Sequence, residues 1–142
     1  MSAISILQSI ARYYLPGQLV QVKIFDLEWA LLRGQAYRKD SGTCVIVLDW
    51  RHADDGETFF HELAHHVKGH VKVACSPDMQ TETLSEMDFS EVERNGILRY
   101  IDEIEIEAQT WAARELANFE RAFGPFAKAV FEAPADGDGQ AV

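Results

Sequence analysis

Apolar positions first recur at helical spacing, in Ile4, Leu7, Ile10, Ala11 and Tyr14, which predicts a short N-terminal helix closed by Pro16-Gly17. The period then changes from three or four to two. Leu19-Val20-Gln21-Val22-Lys23-Ile24-Phe25 alternates and is rich in β-branched residues, the pattern of a strand. Ala36-Tyr37-Arg38 and Thr43 to Leu48 flank Lys39-Asp40-Ser41-Gly42, whose turn chemistry predicts a hairpin. Leu27 to Leu32 fits either a strand extension or a helical turn.

Helical spacing returns at Asp54-Asp55-Gly56-Glu57, an Asp cap with Glu three residues on. The predicted helix runs through Phe59-Phe60-His61-Glu62-Leu63-Ala64-His65-His66-Val67-Lys68 and stops at Gly69. Residues 71–89 read as a loop. A second capping box, Ser90 to Glu93, opens the longest element, whose stripe includes Ile97, Ile101, Ile104, Ala108, Trp111, Ala112, Leu116, Phe119 and Phe123. Gly124-Pro125 ends it. The expected fold is α+β: an N-terminal helix, a short antiparallel sheet, the histidine-bearing helix and a long C-terminal helix. Residues 1–131 form one domain on this reading, followed by a disordered acidic tail, 132–142.

Length and composition agree with one globular domain. The chain has 142 residues, 47% hydrophobic and 25% charged. Two cysteines, Cys44 and Cys75, are too few for a disulfide framework, and reduced thiols are expected. The N-terminus lacks signal-peptide character, and no run approaches the roughly 20 apolar residues needed to cross a bilayer. A soluble cytoplasmic protein is expected. Its net charge is −10, unevenly placed. Residues 1–77 carry eight acidic and eight basic side chains, residues 78–107 ten and two, and residues 108–142 five and three. The balance argues against direct nucleic-acid binding, and against a DNA-repair protease, because either needs a basic surface.

The chemistry lies in His61-Glu62-Leu63-Ala64-His65, an HExxH motif. Residues four apart on a helix differ by about 40° around its axis, so both imidazoles can aim at one ion. Glu62, about 100° from His61, is better placed for a water beside that ion than for ligation. Zinc with three protein ligands lowers the pKa of bound water to about 7, and an adjacent carboxylate is a general base. Phe60, Leu63, Ala64 and Val67 fall on another side and can bury a core face. The motif leaves the third ligand open. HExxHxxGxxH fails, because Gly69 is one residue late and His70 one early. A glutamate from the later helix is the other common solution, and Glu103, Glu105 and Glu107 are offered there.

HELAHHVKGH at residues 61–70, together with Glu107-Ala108-Gln109-Thr110-Trp111-Ala112-Ala113-Arg114-Glu115-Leu116, resembles the ImmA/IrrE group of zinc metallopeptidases. That group has HELxH, often a Gly-His soon after, and a later helix with Glu-Ala-(Asn/Asp)-x-(Phe)-Ala-x-x-Leu. The resemblance spans roughly residues 19–119. Gln109 and Trp111 depart from the pattern, as does Glu115-Leu-Ala-Asn-Phe in place of Leu-Leu-Met-Pro. It implies a small zincin-like domain in which His61, His65 and Glu107 hold Zn²⁺ and Glu62 is the catalytic base; Glu103, one helical turn from Glu107, is the competing ligand by position. It also implies an intracellular regulatory protease whose substrate is often a helix-turn-helix repressor. The alternative is an acidic interaction protein that binds or inhibits a basic partner without proteolysis.

His66, His70, Tyr100 and Arg114 are further candidates for oxyanion stabilisation. Cys75 is a weaker metal candidate, and His52 has no evident partner. Trp29, Trp50 and Trp111 read most simply as core or half-buried residues.

Overall fold

The computed structural model describes residues 3–27, 32–71 and 91–124, with side chains from residue 99 onward in the last stretch. Its elements run α1 (Ala3–Tyr14), β1 (Val20–Phe25), β2 (Gly34–Arg38), β3 (Cys44–Asp49), a short 3₁₀ turn (Trp50–His52), α2 (Gly56–Val67) and α3 (Glu91–Phe123). The expected loop at 71–89, the tail, Cys75 and Trp29 lie outside the described residues, apart from Val71.

The α+β class and all three helices are as expected, but the sheet is mixed, with strand order β1-β3-β2. The Lys39–Thr43 turn makes the β2–β3 pair antiparallel, closed by Lys39 N–H on Thr43 O at 3.0 Å and by Gly42 at φ +91°. β1 pairs with β3 in parallel, from Val20 opposite Cys44 to Phe25 opposite Asp49. This corrects the expected antiparallel sheet: β2 runs opposite to both β1 and β3, so β3, placed between them, pairs with β1 in parallel, and burial accounts for its central place. Every residue of β3 is buried, so this strand belongs in the centre and is covered on both faces. With β2 on one edge, β1 takes the other.

One face of the sheet meets all three helices. Val20, Val22, Cys44, Ile46 and Leu48 pack with Leu7 and Ala11 of α1, Phe59, Phe60, Leu63 and Ala64 of α2, and Ala108, Trp111 and Ala112 of α3. The opposite face is smaller and comprises Leu27, Val45 and Val47 with partly buried Phe25, Leu32 and Tyr37. Buried Asp49 ties the strand ends together. Its carboxylate accepts Leu27 N–H at 2.8 Å and the Arg51 guanidinium at 2.8 Å, and Arg51 also reaches Asp26.

His66 points into this framework. Its Nε2–H donates to Val45 O at 2.8 Å, and burial pushes its pKa down to about 4, against the upward pull of that bond. An unfolded histidine, with a pKa of about 6.5, accepts a proton that the folded ring refuses. Stability is therefore complete above that value and falls as pH drops toward 4. Between pH 7 and 4.5 the ring should cost about 2–3 kcal/mol. Urea unfolding without added metal should show this loss in the parent protein and a smaller one in His66→Gln.

Among the described residues no helix is long and apolar enough to cross a membrane.

Candidate metal centre

α2 begins on Asp55, one residue later than the predicted Asp54 cap. The Asp55 carboxylate accepts Glu57 N–H at 3.0 Å and Thr58 Oγ1–H at 2.9 Å. The start fixes the helix phase. Phe59, Phe60, Leu63 and Ala64 enter the core, and His61 and His65 face α3. His65 is fully buried and His61 partly so.

Three side chains converge there. His61 Nε2 lies 3.2 Å from His65 Nε2 and 2.9 Å from Glu105 Oε2, and His65 Nε2 lies 3.1 Å from Glu105 Oε1. These residues form a group able to hold a metal ion. Bonds of about 2.0–2.1 Å in a tetrahedral shell put neighbouring ligand atoms about 3.3 Å apart, so a small outward adjustment admits an ion. Two imidazoles and a carboxylate suit borderline divalent cations. Protons compete for the same atoms. Burial works to raise the Glu105 pKa, but hydrogen bonds and charge from His61 and His65 outweigh it and hold the carboxyl at about 2. Metal must displace the protons on the two rings, so affinity should fall in acid.

Glu107, the ligand implied by resemblance, is not in this group. Its carboxylate accepts from His70 Nε2–H at 3.1 Å, and the remaining face of His70 meets His65, Nδ1 to Nδ1, at 3.1 Å. Glu103, the competing candidate, is exposed and also stays outside. Helix phase carried a usable signal. The buried stripe of α3 comprises Ile101, Ile104, Ala108, Trp111 and Ala112. At about 100° per residue, Glu105 sits about 70° from the stripe's centre, Glu107 about 90° and Glu103 about 130°. Glu105 is thus the glutamate nearest the packed face. One turn on, Gln109 Oε1 accepts from His61 Nδ1–H at 3.1 Å and helps to orient that ring.

Glu62 is buried and, with His61 and Gln109, lines a cavity of about 240 Å³. Leu32, Arg33 and Gly34 from the β2 edge complete one wall, and Asp55, Glu57 and Thr58 form another. Gly34 is required by its neighbours. A Cβ there would lie 2.9 Å from Glu62 Cγ, 3.1 Å from Thr58 Cγ2 and 3.1 Å from Val47 O. Overpacking of this kind typically costs about 1–3 kcal/mol. Gly34→Ala should lose that much stability in urea unfolding, and it should displace Glu62 while leaving the three converging side chains in place.

The other candidates divide. His66 faces β3, away from this cavity, which removes it as an oxyanion donor. Tyr100 and Arg114 are mostly exposed and do not line the cavity. Trp111 is buried in the core and Trp50 lies partly exposed against Arg51. His52 sits half-buried in the 3₁₀ turn. Comparison of the chain with protein-family models, curated proteins and solved structures found no match.

Proposed function

We propose that the protein is a zinc-dependent peptidase with a zincin-like site, in which His61, His65 and Glu105 hold the ion and Glu62 is the general base. The observation carrying this reading is the convergence of those three side chains beside a cavity that also holds the buried Glu62. Bound zinc supplies Lewis acidity toward a carbonyl and makes water acidic near neutral pH.

The chain's own residues do the rest. Glu62 accepts the proton of the attacking water and hands it to the leaving amide nitrogen, so one carboxylate serves both halves of the hydrolysis. Gln109 orients His61, and Gly34 leaves room for the Glu62 side chain. Asp55, Glu57 and Glu62 outnumber Arg33 around the cavity, which favours a positively charged peptide. A basic intracellular protein, such as a DNA-binding repressor, fits both that lining and the acidic stretch 78–107. A cytoplasmic location belongs to the same proposal.

The test is incubation of the purified protein, with and without one equivalent of Zn²⁺, with an unstructured lysine-rich polypeptide. New N-termini are then identified by mass spectrometry. Cleavage that needs zinc and stops on chelation is expected. Stoichiometric zinc uptake without any cleavage would overturn the peptidase assignment.

A further inference from the structure

His70 and Glu107 are explained neither by ligation nor by core packing, and the helix terminus shows why they are there. α2 ends with Lys68, and Gly69 follows at φ +71°. Gly69 N–H donates to His66 O at 3.2 Å and His70 N–H to His65 O at 2.9 Å, the paired bonds of a Schellman turn. That turn folds His70 back over His65. The glycine and histidine that break the HExxHxxGxxH spacing therefore place a second imidazole behind the ligand histidine.

Given the zinc site proposed above, on which this inference rests, we propose that His70 and Glu107 form an outer relay that holds His65 in its metal-binding tautomer. The hydrogen positions follow from the partners. A carboxylate only accepts, so the hydrogen at the 3.1 Å contact with Glu107 sits on His70 Nε2. Neutral His70 then has its lone pair on Nδ1. The atom facing it at 3.1 Å, His65 Nδ1, supplies the hydrogen. Once metal displaces the proton that His65 Nε2 shares with Glu105, the lone pair for the ion lies on that nitrogen, facing His61 Nε2 and Glu105. Carboxylate, first imidazole and second imidazole form a chain that ends at the ion, extending the usual single partner behind a metal-bound histidine. His70 is a positioning residue in this scheme, and Glu107 positions His70.

Two substitutions at residue 70 separate this role from simple packing. In His70→Asn the new amide oxygen stands near the position of the imidazole Nδ1 and can still accept from His65, whereas the side chain introduced by His70→Leu cannot. Zinc affinity, measured by competition with a chromophoric chelator, should fall about 10–100-fold in His70→Leu and stay within about threefold of the parent in His70→Asn. Long-range ¹H–¹⁵N spectra of the zinc-loaded parent near pH 8, above the ordinary histidine pKa of about 6.5, should show His70 neutral with its hydrogen on Nε2. Equal affinity in all three proteins, or a hydrogen on His70 Nδ1, would overturn the relay while leaving the zinc site standing. Failure of the parent to bind zinc would overturn both.

Discussion

Glu62→Gln should lower peptide hydrolysis by about 10²- to 10⁴-fold, the range for loss of a general base, while zinc content stays at the parent level. The substitution is nearly isosteric. This matters because Glu62 is 3% exposed and packed where Gly34 leaves no space for one further carbon. An amide keeps that volume and removes the basicity. A carboxylate that served only to fill the cavity wall would leave turnover unchanged. The same variant addresses the alternative of an acidic interaction protein. Docking onto a basic partner does not use a base, so biological activity that survives Glu62→Gln would favour that alternative.

The second large effect separates two glutamates one helical half-turn apart. Glu105→Gln should weaken zinc binding about 10²- to 10³-fold. That is the share of one ligand in a total of roughly 10–16 kcal/mol spread over four positions. Glu107→Gln should change it by no more than about threefold, because an amide oxygen still accepts from His70 Nε2–H. Equilibrium competition with a chelator at fixed pH measures both. The contrast follows from geometry: the Glu105 carboxylate lies within 2.9–3.1 Å of both histidine Nε2 atoms, and that of Glu107 is 3.1 Å from His70 instead. A reversed order of effects would restore Glu107 as the ligand that the resemblance implied.

Where the chain's own pattern is periodic, it was legible. The apolar stripes located α1, α2 and α3, the turn at residues 39–42 located the hairpin, and Gly69 was placed as the residue after a helix end. The four-residue spacing of His61 and His65 carried their convergence, because helix geometry turns that spacing directly into proximity. What was not legible depends on packing between distant segments. β3 pairs with β1 in parallel because it is inserted between β1 and β2, a central placement that only the folded sheet reveals. Motif resemblance favoured Glu107, whereas the roll of α3 against α2 brings Glu105 to the histidines. Measured from the buried stripe of α3, Glu105 is the nearest of the three glutamates to the packed face. His66 looked like a neighbour of the site, and one residue of helix rotation sends it into the core on the other side.

The most direct measurement is anomalous diffraction at the zinc edge from crystals of the zinc-loaded protein. One strong peak is expected about 2.0–2.2 Å from His61 Nε2, His65 Nε2 and a Glu105 oxygen, with Glu107 still on His70. A peak coordinated by Glu107 in place of Glu105, or no peak beside His61 and His65, would contradict the assignment.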